Sequence, residues 1–126
     1  MRNPDRRILA IGIAMAMLAC SAPSTRAAGA ALEGGDAVRG KAIAEHFGCN
    51  ACHAIGGLPD PTVAAAAPIT DISQRAYIAG TLPTTPENLI KWIRFPHEVK
   101  PRTAMPDLAV SASDARDIAT YLYSLR

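Results

Sequence analysis

Three side chains in the 126-residue chain stand at a spacing that does chemistry: Cys49 and Cys52, with His53 directly after them. Two thiols three positions apart reach the same side of a planar group, and the histidine that follows comes to lie under its centre. This Cys-x-x-Cys-His order is the attachment signature of a c-type haem. Each thiol adds to a vinyl group and becomes a thioether, and His53 becomes the proximal ligand of the iron. Other uses of paired cysteines fit less well. A zinc site calls for two further Cys or His ligands at similar spacing. A thioredoxin-type pair would sit in a βαβ pattern, which this sequence lacks.

The N-terminus reads as an export signal. Arg2, Arg6 and Arg7 precede an apolar run of 13 residues from Ile8 to Cys20, followed by small residues. That run is short of the roughly 20 residues that cross a membrane unaided. Ala28-Gly29-Ala30 is a suitable cleavage site, giving a signal over residues 1–30 and a domain over 31–126. Two alternatives stand beside it. Met17-Leu18-Ala19-Cys20 is similar to a lipoprotein box, in which a lipidated Cys20 becomes the new N-terminus, and an uncleaved segment would serve as an anchor. All three place the globular part on the periplasmic side.

Removing residues 1–30 leaves 9 of the 13 Lys and Arg and 10 of the 11 Asp and Glu, a formal charge of −1. The basic excess of the whole chain belongs to the signal, and nothing in the domain points to nucleic acid. About 96 residues remain, with few aromatics, so burial of side chains alone makes a marginal core. A haem supplies the missing apolar surface.

The elements that position the motif are helical. Residues 31–38 form a glycine-containing lead-in, read as mobile. Asp36 is a suitable N-cap for a helix to about Phe47, with Ala37, Gly40, Ile43, Ala44 and Phe47 on one stripe. Gly48 ends it, and the motif follows at once. Residues 54–67 form a loop whose four alanines, Ala64 to Ala67, are compatible with a short helix stopped by Pro68. A second short helix fits between Ile69 and Gly80. Thr85-Pro86-Glu87 opens a helix to about Phe95, with Leu89, Trp92 and Ile93 inward and Pro96 as its stop. Residues 96–110 are a proline-punctuated loop. Ser111 or Ser113 caps a last helix to the C-terminus, with Ala115, Ile118, Ala119, Leu122 and Leu125 on its buried side. No strand period appears, so the expected class is all-α.

Elimination narrows the sixth iron ligand. Met1, Met15 and Met17 lie in the signal, which leaves Met105 as the only methionine of the domain, 52 residues after His53 between Pro101 and Pro106. His46 and His97 are the rivals. A metal-bound histidine passes its other ring N–H to a carbonyl or carboxylate, and the Pro68 carbonyl is a candidate acceptor. Arg75, Tyr77 and Trp92 are candidates for contacts to the propionates or the haem edge.

Taken together, these residues give a chain that resembles a class I cytochrome c over about residues 36–126. The resemblance is carried by Gly40-Lys41 leading to Cys49-x-x-Cys52-His53, by Pro68, and by Thr85-Pro86-Glu87-Asn88-Leu89-Ile90-Lys91-Trp92-Ile93. Pro101-Arg102-Thr103-Ala104-Met105-Pro106 and the final Ala119-Thr120-Tyr121-Leu122 complete it. The run from Tyr77 to Pro106 is most similar to the cytochrome c domain fused to second subunits of some bacterial cytochrome oxidases. The membrane and copper-binding portions of those subunits are absent from this sequence. The resemblance implies a small cytochrome c fold whose first and last helices cross near Gly40, with Tyr121 and Leu122 nearby. It implies one haem c per chain, His53 and Met105 as axial ligands, and Pro68 as the partner of His53. Trp92 would stand near the Met sulfur and Thr103 near a propionate. Arg102, where many relatives have Gly, and Ile43 and Ala44, where many have Phe, are departures.

The function expected is that of a monohaem carrier, a monomer without catalytic residues. It would pass single electrons between respiratory partners such as a membrane dehydrogenase, a cytochrome reductase or a terminal oxidase. A permanently bound haem subunit of such a complex is the first alternative, and a haem sensor or peroxidase-like protein the second.

Overall fold

The computed structural model describes residues 32–125. The expected signal over residues 1–30, its cleavage site at Ala28–Ala30 and the lipidation candidate Cys20 lie outside the described residues. The element order is α1 (Ala37–His46), a 3-10 turn (Cys49–Ala51), a second 3-10 turn (Ile72–Gln74), β1 (Tyr77–Ile78), β2 (Leu82–Pro83), α2 (Pro86–Arg94), α3 (Pro96–Val99) and α4 (Ala112–Ser124). Helices carry the architecture.

The helix starts follow from local chemistry. The Asp36 carboxylate accepts from the backbone N–H groups of Val38 and Arg39, Thr85 Oγ1 from that of Asn88, and Ser111 Oγ from that of Asp114. Each satisfies donors that the first helical turn leaves free. Pro86 and Pro96 occupy first helical positions, where a missing N–H costs nothing. Pro96 therefore does two jobs. It ends α2 through Phe95 and opens the one-turn α3, which the expected loop over 96–110 did not include.

Helix α4 is the axis of the molecule. Seven of its residues are buried, from Ala115 through Leu122 with only Arg116 exposed. It packs on α1 most extensively and on α2 second. The crossing with α1 falls at Gly40, where an added Cβ would meet the Asp117 carbonyl and stand 2.9 Å from the backbone nitrogen of Ile118. Only glycine lets the two backbones approach so closely. Asp117 is fully buried at this crossing. Its Oδ1 accepts the Asp36 N–H at 2.8 Å, and its other oxygen pairs with the Arg39 guanidinium. The lead-in read as mobile is thus fastened to α4, with the Gly35 N–H closing a turn on the Leu32 carbonyl at 2.7 Å.

Two other expectations change. Ala64 to Ala67 are not helical. The segment is drawn out because its hydrogen bonds run back to the attachment turn: Ala66 N–H to the Cys52 carbonyl at 3.1 Å and Ile69 N–H to the Ala54 carbonyl at 2.7 Å. Between Ile69 and Gly80 the expected short helix shrinks to a single 3-10 turn. The rest enters a two-strand antiparallel hairpin pairing Tyr77 with Pro83 and Ile78 with Leu82. Its turn places Ala79 and Gly80 at positive φ, the pattern of a tight hairpin turn.

Candidate haem centre

The attachment turn grows directly out of α1. Gly48, at φ +71°, reverses the chain after the helix, and the next residues wind into one 3-10 turn. The N–H groups of Cys52 and His53 both fall on the Cys49 carbonyl, at 3.4 and 3.1 Å. That single turn brings Cys49, Cys52 and His53 to one cavity. Both thiols are unpaired.

The cavity measures about 490 Å³ and is lined mainly by apolar side chains. Cys49, Cys52 and His53 contribute from the turn, Trp92 and Ile93 from α2, Ile118 and Leu122 from α4, and Thr103, Met105 and Leu108 from the loop after α3. Met105 is the one methionine among the described residues. His46 and His97, its rivals for the iron, are both exposed and neither lines the cavity. Tyr77 is 59% exposed and takes no part either.

His53 is half-buried, and its Nδ1 lies 2.7 Å from the Ala67 carbonyl oxygen. A carbonyl only accepts, so the ring proton sits on Nδ1 and the Nε2 lone pair is left free for a metal. The expected acceptor was the Pro68 carbonyl, and it is corrected by one residue. A proline holds the residue before it in an extended conformation, and here that residue presents the carbonyl. The Pro68 carbonyl instead accepts from Arg75 Nη2 at 2.6 Å, and Arg75 is ion-paired with Asp71 at 3.1 Å. Arg75 and Trp92, the candidates for haem contacts, both line the cavity. Thr103 does so as well, and its Oγ1 accepts the Met105 N–H at 3.1 Å, which braces the loop carrying the sulfur.

Burial pushes the Cys49 thiol above its ordinary value, with the neighbouring Cys52 adding to the rise and a backbone hydrogen bond working against it. A thiol held neutral is unlike the activated thiolate of a disulfide-exchange enzyme. Among the described residues no three His, Cys, Asp or Glu side chains gather as a metal-binding cluster, so nothing extends the pair into a zinc site. The donor set fits a haem. Two thiols, one imidazole with its tautomer fixed and one thioether border a single apolar cavity of suitable volume. The residue missed from sequence is Ala67, whose backbone holds His53, and Pro68 was the usable signal for it. Tyr121, placed by the resemblance near the helix crossing, donates its hydroxyl to the Gly56 carbonyl.

A cavity with this rim defines a haem protein of the covalently attached kind. The chain belongs to the cytochrome c family, whose profile matches residues 37–126. It is also similar to a protein of Alkalihalophilus pseudofirmus named cytochrome c oxidase subunit 2, at 38% identity over 90 residues. That match covers 70% of this chain and 25% of the relative, so the chain spans about a quarter of that protein's length. The family assignment brings covalently bound haem c, the small all-α fold and haem-based electron transfer.

Proposed function

We propose that this protein is a monohaem carrier that passes single electrons between respiratory partners on the periplasmic side of the membrane. The observation that carries the reading is the meeting of Cys49, Cys52, His53 and Met105 around one apolar cavity. When bound, the haem supplies an iron that gains and loses one electron. The residues of the chain do the rest. Cys49 and Cys52 would hold the group covalently, and His53, oriented by the Ala67 carbonyl, would offer its free Nε2 to the iron. Met105 would supply a second ligand from the loop after α3. A thioether paired with an imidazole raises the reduction potential relative to two nitrogen ligands or a thiolate. With His53 and Met105 both given to the iron, small oxidants would find no open site, and the reading calls on none of the described residues as a catalytic acid or base. Trp92, Thr103 and Arg75 complete the wall.

The likeness to an oxidase second subunit favours a second reading, in which the domain works as the resident haem module of a larger complex. In either case the partners are redox proteins met at the cavity mouth, where Cys52, Ala104 and Pro106 are exposed. No helix among the described residues is long and apolar enough to cross a membrane, so attachment would fall to the leader or to a lipid on Cys20.

The test is made on protein purified from cells with a haem-attachment system. Mass spectrometry after denaturation should show one haem still bound and no free thiol at Cys49 or Cys52. The ferrous spectrum should not change when carbon monoxide is added. Free thiols, or a carbon monoxide complex of the wild type, count against the carrier. Recovery as a one-to-one complex with a membrane enzyme selects the resident module.

A further inference from the structure

The peptide that orients His53 is itself held in place. Ala66 and Ile69 bond back to Cys52 and Ala54, which belong to the attachment turn, so these bonds move with His53 rather than fix it. Among the hydrogen bonds of the described residues, one link ties the segment to a different part of the fold. Arg75 Nη2 donates to the Pro68 carbonyl at 2.6 Å, while Nε and Nη2 donate to Asp71 Oδ1 at 3.3 and 3.1 Å. Asp71 precedes the 3-10 turn Ile72–Gln74, whose Ile72 is buried in the core and which packs on α4. The geometry points to Arg75 as a positioning residue for the His53 imidazole, acting through the Ala67–Pro68 peptide, with Asp71 setting the guanidinium. The inference rests on the haem reading of the site.

The chemistry of the guanidinium explains why this residue stands there. Its donors lie in one plane at fixed angles, so a single group spans a carbonyl on one side and a carboxylate on the other. The contact to Asp71 is charge-assisted on both partners, which stiffens the fork. A lysine places its charge in the same region but has no planar fork to bridge both. Holding the Pro68 carbonyl fixes the plane of the preceding peptide, and with it the Ala67 oxygen that receives the Nδ1–H. The strength of that bond sets how strongly the imidazole donates to a metal.

The experiment uses the full haem-loaded protein in its ferrous state. Nuclear magnetic resonance follows solvent exchange of the His53 Nδ1–H beside that of the Leu122 backbone N–H deep in α4. Arg75→Lys should speed His53 exchange at least about tenfold, the factor that corresponds to about 1.4 kcal/mol. Asp71→Asn should speed it at least about threefold. Leu122 exchange should stay as in the wild type for both. Unchanged His53 exchange in the two variants overturns the proposal, and so does equal acceleration of His53 and Leu122, which marks a general loss of stability. A wild-type protein in which His53 is not bound to haem overturns the underlying reading and the clamp with it.

Discussion

Gly40→Ala is the sharpest test of the frame that holds the site. The substitution adds one methyl at the point where α1 crosses α4. That methyl would fall inside the contact radius of the Asp117 carbonyl and 2.9 Å from Ile118 N. Ordinary carbon contacts need about 3.5 Å or more. The opposing atoms are helix backbone, so no rotamer change relieves the clash and the helices must part. Overpacking costs about 1–3 kcal/mol in general, and a backbone clash belongs at the upper end. Parting the helices also weakens the bonds from Asp36 and Arg39 to Asp117, roughly another 1 kcal/mol. Replacing Gly by Ala inside a helix returns about 1 kcal/mol. The net loss is about 3 kcal/mol. For a domain of this size that lowers the melting temperature by roughly 12–24 °C. Thermal unfolding of the haem-loaded variant, followed by far-ultraviolet circular dichroism, measures it. A variant that melts within 3 °C of the wild type, roughly the noise against such a shift, would refute the close crossing at Gly40.

The remaining predictions concern the site and its supports. Met105→Ala should leave haem attachment intact but let the ferrous protein bind carbon monoxide, and Met105→His should restore six-coordination with a potential lower by on the order of 0.1 V. An unchanged potential and spectrum in Met105→Ala would point the search back to His46 or His97. Asp117→Ala should cost about 1–3 kcal/mol in urea unfolding because the Asp36 N–H loses its partner, while Asp117→Asn should keep most of that stability. Burial raises the Tyr121 phenol above 10.0, helped by Glu45, and raises Tyr123 likewise, helped by Glu87. The folded state therefore holds these protons where the unfolded chain has released them. Stability should be whole below pH 10 and fall as pH rises through and beyond that value, and Tyr121→Phe should flatten the alkaline slope of the unfolding free energy.

Much of the site was legible because its chemistry is written in short range. Cys49, Cys52 and His53 declare themselves by spacing, and Asp36, Thr85 and Ser111 declare the helix starts by their capping oxygens. Elimination singled out Met105, which lines the same cavity. What escaped depended on distant parts of the chain. Ala67 has no side-chain chemistry, and its carbonyl matters only because the loop folds back on the attachment turn. Asp117 sits beside the apolar stripe of α4 and would count as a solvated charge, until Gly40 lets α1 close over it. Helical propensity in Ala64 to Ala67 lost to hydrogen bonds with Cys52 and Ala54, which a local reading has no means to see.

The α1–α4 crossing also sets an order of events in time. It joins residues as far apart as Asp36 and Asp117, a separation of 81 positions. Contacts between the two ends of a domain close only once the loop between them has been gathered, at an entropic cost. In chain order Cys49 and Cys52 come well before α4, the element that finishes the wall of the cavity beside them. Until α4 docks, the side of the cavity that Ile118 and Leu122 close stands open, and both sulfurs can be reached from it. The architecture that later encloses the cavity thereby leaves an interval in which the two thiols are accessible from within as well as from the rim.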